Sequence, residues 1–194
     1  MSRLMIVVGS VRPGRVGLPV AEWARNAAVR SGRFDEVDFA DLAAIDLPFM
    51  DEPQHPRLRQ YEHHHTREWS AGVDAVDAVV LVTPEYNYGL APAVKNALDY
   101  LHHEWAYKPV GFVSYGGVAG GTRSVQMTKQ VVSALRMFPM ANAVSIHFVP
   151  QFIDDDGVFQ ATESMDRAAA AMFDELVRVG DALRPLRERR EAAV

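Results

Sequence analysis

The chain has 194 residues, of which 48% are hydrophobic and 23% are charged, and this composition predicts one soluble globular domain. The formal net charge of −5 argues against general nucleic-acid binding, because that activity needs a basic surface. There is no cysteine, which excludes disulfides, thiolate catalysis and cysteine-ligated metal or Fe–S centres.

The sequence shows no targeting or membrane segment. Residues 4–8 form an apolar run that is too short for a signal-peptide core, and no stretch is long enough to cross a bilayer. The lack of cysteine is compatible with the cytosol. We therefore expect a cytoplasmic protein whose partners include neither membrane nor nucleic acid.

Strand-like and helix-like patterns alternate along the chain. The strands are predicted at residues 3–9, 35–41, 77–83, 109–115 and 143–149. The first, third and fourth are nearly continuous apolar runs, which is typical of parallel strands buried on both faces. We therefore predict an α/β three-layer sandwich, with a five-stranded parallel sheet of order 2-1-3-4-5 and helices on both faces.

Apolar stripes at helical spacing lie between these strands. They predict helices from Val16 to Ala27, over residues 94–101 after Pro92, over residues 125–138, and over residues 165–183 before Pro185, with a further helix at about residues 57–73. Residues 42–76 form the least regular connection. We expect one domain over residues 1–184 and a solvated, charged tail over residues 185–194, which contains Arg187, Arg189 and Arg190.

The first strand ends in a glycine-punctuated turn, residues 9–17, here called the phosphate turn. A P-loop would need lysine and a hydroxyl residue after its second glycine, but Arg15 and Val16 stand there, and the dinucleotide fingerprint does not fit the glycine spacing. What remains is a helix N-terminus with Ser10, Arg12 and Arg15, which together suit a phosphate monoester. The alternative is a tight turn with solvated arginines.

Two further turns follow the third and fourth strands. The ring turn, residues 84–89, carries Tyr86, Asn87 and Tyr88, which suit a flat heteroaromatic ring, although aromatic residues in such a turn also serve plain packing. The glycine turn, residues 114–123, has four glycines in six residues and so lets backbone approach a ligand closely. Its alternative is a flexible surface loop. Three such turns at three strand ends favour a nucleotide-like cofactor.

These segments resemble the NADPH-dependent FMN reductase family over about residues 3–150. The motifs that carry the resemblance are Gly9-Ser10-x-Arg12-x-x-Arg15-x-Gly17, Thr83-Pro84-Glu85-Tyr86-Asn87, Lys95-Asn96-Ala97-Leu98-Asp99, Glu104-Trp105, Lys108-Pro109 and Ser114-Tyr115-Gly116-Gly117-x-x-Gly120-Gly121-x-Arg123. The resemblance implies a flavodoxin-like fold that binds FMN, as a homodimer or homotetramer with the flavin near the subunit interface.

The resemblance also implies which residues hold the flavin. The phosphate would be bound by Ser10, Arg12, Arg15, Val16 and Gly17, and the isoalloxazine ring by Pro84, Glu85, Tyr86, Asn87, Tyr88, Ser114, Tyr115, Gly116 and Gly117. NADPH or NADH would give a hydride to FMN, which would then reduce a quinone, a flavin, an azo dye or a similar acceptor. No catalytic residue is assigned, because the chemistry needs no general acid or base.

The sequence leaves one alternative function open and argues against two metal sites. A one-electron carrier or a redox-sensing FMN protein is the alternative function. No site for the 2′-phosphate of NADPH can be identified, with Arg123 as the only suggestion. Neither the histidines 63–65 nor the acidic turn 154–157 predicts a metal site, since adjacent helical side chains diverge and a later calcium-ligating glutamate is replaced by Met165.

Overall fold

The computed structural model describes residues 2–191, and its centre is a parallel sheet. The strands are β1 (Arg3–Val8), β2 (Glu36–Asp41), β3 (Ala78–Pro84), β4 (Pro109–Tyr115), β5 (Phe138–Pro139) and β6 (Val144–Ile146). They lie in the order β2-β1-β3-β4-β5, and β6 also pairs with β4. Every pairing is parallel. The predicted strand order is confirmed.

The fifth position of the sheet is divided between two short strands. β5 pairs with Pro109 and Val110 at the start of β4, whereas β6 pairs with the last three residues of that strand. The predicted helix that reached Phe138 therefore ends early, at Ala134. Arg136 has a positive φ of 60°, which breaks the helix and lets the Phe138 N–H donate to the Lys108 carbonyl at 2.9 Å.

Helices cover both faces of the sheet, as predicted. They are α1 (Gly17–Ser31), α2 (Leu42–Ile45), α3 (His64–Asp74), α4 (Pro92–Asp99), α5 (Thr122–Ala134) and α6 (Glu163–Glu191). Alternate side chains of β1 enter opposite core layers: Leu4 and Ile6 pack with α1 and α6, and Met5 and Val7 pack with α3, α4 and α5. Within residues 2–191, none of the helices has the length and apolar character of a membrane span.

The connection before β3 differs from its prediction. The helix expected from about residue 57 begins only at His64, because Arg59 has a positive φ of 52° and ends a short 3₁₀ turn. A fully buried carboxylate, Glu104, anchors this connection. It accepts hydrogen bonds from the Tyr61 hydroxyl at 3.0 Å and the Ser70 hydroxyl at 2.8 Å, and it pairs with Arg59 at 3.3 Å.

The expected helix end at Pro185 is wrong, because α6 continues through this proline to Glu191. Arg187, expected in a solvated tail, is only 6% exposed. Its guanidinium donates to the Asp77 carboxylate at 2.8 Å and to the Tyr107 carbonyl at 3.1 Å. These contacts hold the helix against the sheet beyond the proline. The side chains of residues 189–191 and all of residues 192–194 lie outside the described part of the chain.

Replacing Arg187 tests this anchor. Arg187→Met keeps an apolar stem and removes the hydrogen bonds, so we expect the free energy of unfolding to fall by about 1–3 kcal/mol. The matched control is Arg184→Met on the same helix, since Arg184 pairs with exposed Asp181 at 2.7 Å, and its loss should cost less than about 0.5 kcal/mol. If urea denaturation gave equal losses of unfolding free energy for Arg187→Met and Arg184→Met, Arg187 would not anchor α6 to the sheet.

Candidate functional site

The three turns lie side by side at the carboxyl edge of the sheet. β3 is flanked by β1 and β4, with Val8 beside Val82 and Pro84 beside Tyr115, so the segments that follow these strands meet at one edge. This is where open parallel sheets bind ligands. The sequence-predicted residues are therefore brought together by the strand order alone.

A hydrogen bond between two hydroxyls links the phosphate turn to the ring turn. Ser10 is 2% exposed, and its Oγ lies 2.9 Å from Oη of Tyr86. Gly9 is required beside it, because a Cβ at that position would lie 2.5 Å from Cγ2 of Val94 and 2.9 Å from the Val82 carbonyl oxygen. The two turns therefore face each other across a short gap.

The two arginines of the phosphate turn are not equivalent. Arg15 donates to both carboxylate oxygens of Asp41, at 2.7 and 2.5 Å, and to the Ser10 carbonyl at 2.6 Å. Arg12 is exposed, and no group within the described residues pairs with its guanidinium. The sequence prediction treated both as free cations and missed Asp41. The signal was present, because Asp41 is the last residue of a strand that neighbours β1.

The start of α1 has the properties of an anion site. Val16 is the N-cap residue and makes no side-chain capping bond, so the first N–H groups of the helix have no side-chain partner there. A Cβ at Gly17 would lie 2.2 Å from Oη of Tyr115. That hydroxyl is buried without a geometrically sound hydrogen bond to any described residue, and burial raises the pKa of Tyr115. An unsatisfied buried hydroxyl beside an uncapped helix fits a phosphate ligand.

The ring turn is a two-residue hairpin. Tyr86 and Gly89 exchange both backbone hydrogen bonds, at 3.1 and 2.9 Å, while Asn87 and Tyr88 have positive φ values of 49° and 70°, which is the pattern of a type I′ turn. The two tyrosines consequently point in different directions. Tyr86 is half-buried against the phosphate turn, whereas Tyr88 is 69% exposed.

In the glycine turn, two polar groups that the sequence predicted to face the ligand are instead hydrogen-bonded within the protein. The Gly116 N–H donates to the Ile146 carbonyl at 3.1 Å, and the Ser114 hydroxyl donates to the Gly120 carbonyl at 2.8 Å. Gly117 is exposed, a Cβ there would meet no atom within 4 Å, and no described group accepts its N–H. Gly117 is thus the residue of this turn whose backbone is open to a ligand.

A salt bridge links the glycine turn to the ring turn. The Glu85 carboxylate accepts from the backbone N–H of Arg123 at 3.1 Å and from its Nε at 2.6 Å. Together with the Ser10–Tyr86 hydrogen bond and the packing of Tyr115 on Gly17, this contact ties the three turns pairwise. The sequence could not reveal the Glu85–Arg123 pair, because the partners are 38 positions apart.

Cavities border these turns. One of about 270 Å³ is lined by residues including Gly9, Arg12 and Tyr86. A mostly apolar cavity of about 470 Å³ shares Val11 and Pro92 with it and extends to the 42–49 segment, and a third of about 510 Å³ lies beside Gly116 and Gly117. The larger two are within the size range of small-molecule sites. The sequence prediction had left the role of residues 42–76 open.

The contact between Gly17 and Tyr115 can be tested by adding one methyl group. Gly17→Ala should lower the free energy of unfolding by about 1–3 kcal/mol, because the new Cβ overlaps Oη of Tyr115. Adding Tyr115→Phe removes that oxygen and should restore part of the loss. Gly14→Ala is no suitable control, since Gly14 has a positive φ of 67°. Gly72→Ala in α3, where the nearest atom is 3.7 Å away, should not destabilise.

The chain matches known flavin-dependent proteins over most of its length. The model of the NADPH-dependent FMN reductase family matches residues 2–151. An NAD(P)H-dependent FMN reductase from Nectria sp is 34% identical over 143 residues, which cover 71% of each chain. One from Schizosaccharomyces pombe is 38% identical over 137 residues, which cover 70% of this chain and 68% of that relative.

A solved structure supports the fold. The flavoenzyme NAD(P)H:(acceptor) oxidoreductase FerB from Paracoccus denitrificans aligns with a TM-score of 0.74 at 21% sequence identity, covering 94% of this chain and 98% of that one. A flavodoxin, WrbA-like protein from Agrobacterium tumefaciens aligns with a TM-score of 0.60 at 14% identity, covering 94% and 99%. These likenesses confirm the three-layer, flavodoxin-like fold.

Proposed function

The chain belongs to the NADPH-dependent FMN reductase family, and from this premise we propose that it is an FMN-dependent NAD(P)H oxidoreductase. When bound, FMN would take a hydride from NAD(P)H and pass the electrons to a quinone, a flavin, an azo compound or a similar acceptor. The observation that carries the proposal is the uncapped start of α1, which lies beside the buried Tyr115 hydroxyl and the exposed Arg12, and neither group is paired within residues 2–191.

We propose that the FMN phosphate lies at this helix start. The N–H groups at Val16 and Gly17 and the Ser10 hydroxyl would donate to it, and Arg12 would neutralise it by forked hydrogen bonds. Arg15 would act mainly by holding the turn in shape, because its guanidinium is already engaged by Asp41. The Tyr115 hydroxyl would complete the pocket from the side of β4.

The ring turn and glycine turn would border the isoalloxazine. Pro84, Glu85, Tyr86, Asn87 and Tyr88 would line one side, and Ser114, Tyr115, Gly116 and Gly117 the other. Of these, Gly117 would supply the open backbone N–H to the polar edge of the ring, since the Gly116 N–H is used within the sheet. The chain would thus position the ring and exclude water. No side chain is required to move a proton.

We further propose a homodimer or homotetramer in the cytoplasm. Large apolar side chains stand exposed around the site, among them Phe49 at 84% and Val118 at 78%, and exposed apolar surface of this kind favours subunit contacts. Sedimentation velocity on the full chain would measure the assembly directly.

The phosphate assignment makes a prediction about two arginines. Arg12→Ala should weaken FMN binding about 10- to 100-fold, because it removes charge-assisted hydrogen bonds. Adding Arg15→Ala should abolish FMN retention during purification, because Asp41 would then face the phosphate without its partner. Equilibrium fluorescence titration with FMN measures the first effect, and the flavin content of the purified protein measures the second.

Arg30→Ala provides the matched control, since Arg30 is exposed in the last turn of α1, at the opposite end of the helix. It should leave FMN affinity unchanged. Riboflavin, which lacks the phosphate, should bind equally to the wild type and to Arg12→Ala. An unchanged flavin content in the double variant would contradict the phosphate site.

A further inference from the structure

The Glu85 carboxylate occupies the junction between the ring turn and the glycine turn. Its side chain is 9% exposed, and both of its oxygens accept hydrogen bonds from Arg123, one from the backbone N–H and one from Nε. Glu85 follows β3 directly, while Arg123 lies in the first turn of α5. The nearly buried Glu85 carboxylate therefore joins the ring turn to the glycine turn, the two segments proposed to border the isoalloxazine.

Arg123 is fixed by a second contact as well. Its Cζ lies 3.7 Å from the centre of the Tyr88 ring, which is a cation–π geometry. Tyr88 belongs to the same turn as Glu85, so the guanidinium is held between a carboxylate and an aromatic face. Arg123 is therefore already engaged, which argues against the suggestion that it binds the 2′-phosphate of NADPH.

The pair also changes the charge at the start of α5. Gly121 is the N-cap residue and supplies no side-chain cap, so the positive end of the helix dipole would otherwise face the site. The Glu85 carboxylate takes the place of a cap through the Arg123 N–H. It thereby offsets both the helix end and the guanidinium at the edge where the isoalloxazine is proposed to lie.

We infer that Glu85 and Arg123 act on the reduction potential of the bound flavin in opposite and nearly balanced directions, with Glu85 opposing reduction and Arg123 favouring it. The physical reason is that reduced FMN carries more negative charge on its ring than oxidised FMN, so nearby charges act unequally on the two states. Both residues are positioning residues as well, because their contact spans the two turns. The inference rests on the proposed FMN site.

The test uses two charge-removing variants for which the expected shifts have opposite signs. Glu85→Gln should raise the reduction potential of bound FMN, and Arg123→Gln should lower it, each corresponding to a change on the order of fivefold in the ratio of affinities for reduced and oxidised FMN. The double variant should lie near the wild type. Potentials are measured by equilibration with reference dyes, and affinities for oxidised FMN by titration.

A matched control pair lies at the other edge of the sheet. Arg33 precedes β2 and pairs with Asp174 at 2.7 Å, so Arg33→Gln and Asp174→Asn make the same charge changes away from the three turns. Neither should shift the potential. Arg123→Lys keeps the charge but loses the Nε–H hydrogen bond to Glu85 and the planar group on Tyr88, so it should stay near the wild-type potential while its FMN affinity falls.

The results that would contradict the inference differ from the result that would contradict the proposed function. Shifts in the same direction for Glu85→Gln and Arg123→Gln, or no shift while FMN stays bound, would overturn the inference and leave the pair as a brace. Loss of FMN by Glu85→Gln would do the same. A wild-type protein that binds no FMN would instead overturn the proposed function.

Discussion

The burial of β3 between β1 and β4 is the constraint on which the site depends. All seven residues of β3 are buried, and its parallel register with both neighbours leaves one place for the segments that follow. These segments carry a serine, tyrosines and glycines in turn, so the pairing of the strands brings chemically different groups to one edge of the sheet. The hydrogen bond between Ser10 and Tyr86 then links the ring turn to the phosphate turn, and the salt bridge between Glu85 and Arg123 links it to the glycine turn.

Polar pairing decides which of the collected groups remain open to a ligand. Arg15 is engaged by Asp41 and Arg123 by Glu85, whereas Arg12 is exposed. The glycine turn follows the same pattern. The Gly116 N–H donates to the Ile146 carbonyl in the sheet, whereas the Gly117 N–H donates to no described group. Among the described residues of the three turns, Arg12 thus remains an open cation, and backbone N–H groups remain open at the start of α1 and at Gly117. That pattern suits a ligand with a phosphate at one end and a flat polar ring at the other.

Sequence reasoning predicted the strands and their order because apolar runs bounded by glycine turns depend mainly on local patterns. It also predicted that the three turns lie together, since the ends of neighbouring parallel strands must meet. It could not predict contacts between residues far apart in the chain, such as those of Arg187 with Asp77 and Arg15 with Asp41. The first contact explains the wrong helix end at Pro185, and the second explains why Arg15 is not the free cation that the sequence suggested. The split fifth strand was missed because a single residue, Arg136, adopts a left-handed conformation.

The most direct measurement is an anaerobic titration of the FMN-loaded protein with NADPH, followed by its visible absorption. The account predicts that one equivalent of NADPH abolishes the absorption of oxidised flavin in one two-electron step, and that a quinone then restores it. Bound flavin that stays oxidised with NADPH and NADH, yet accepts single electrons from a chemical donor, would contradict the account and identify a carrier.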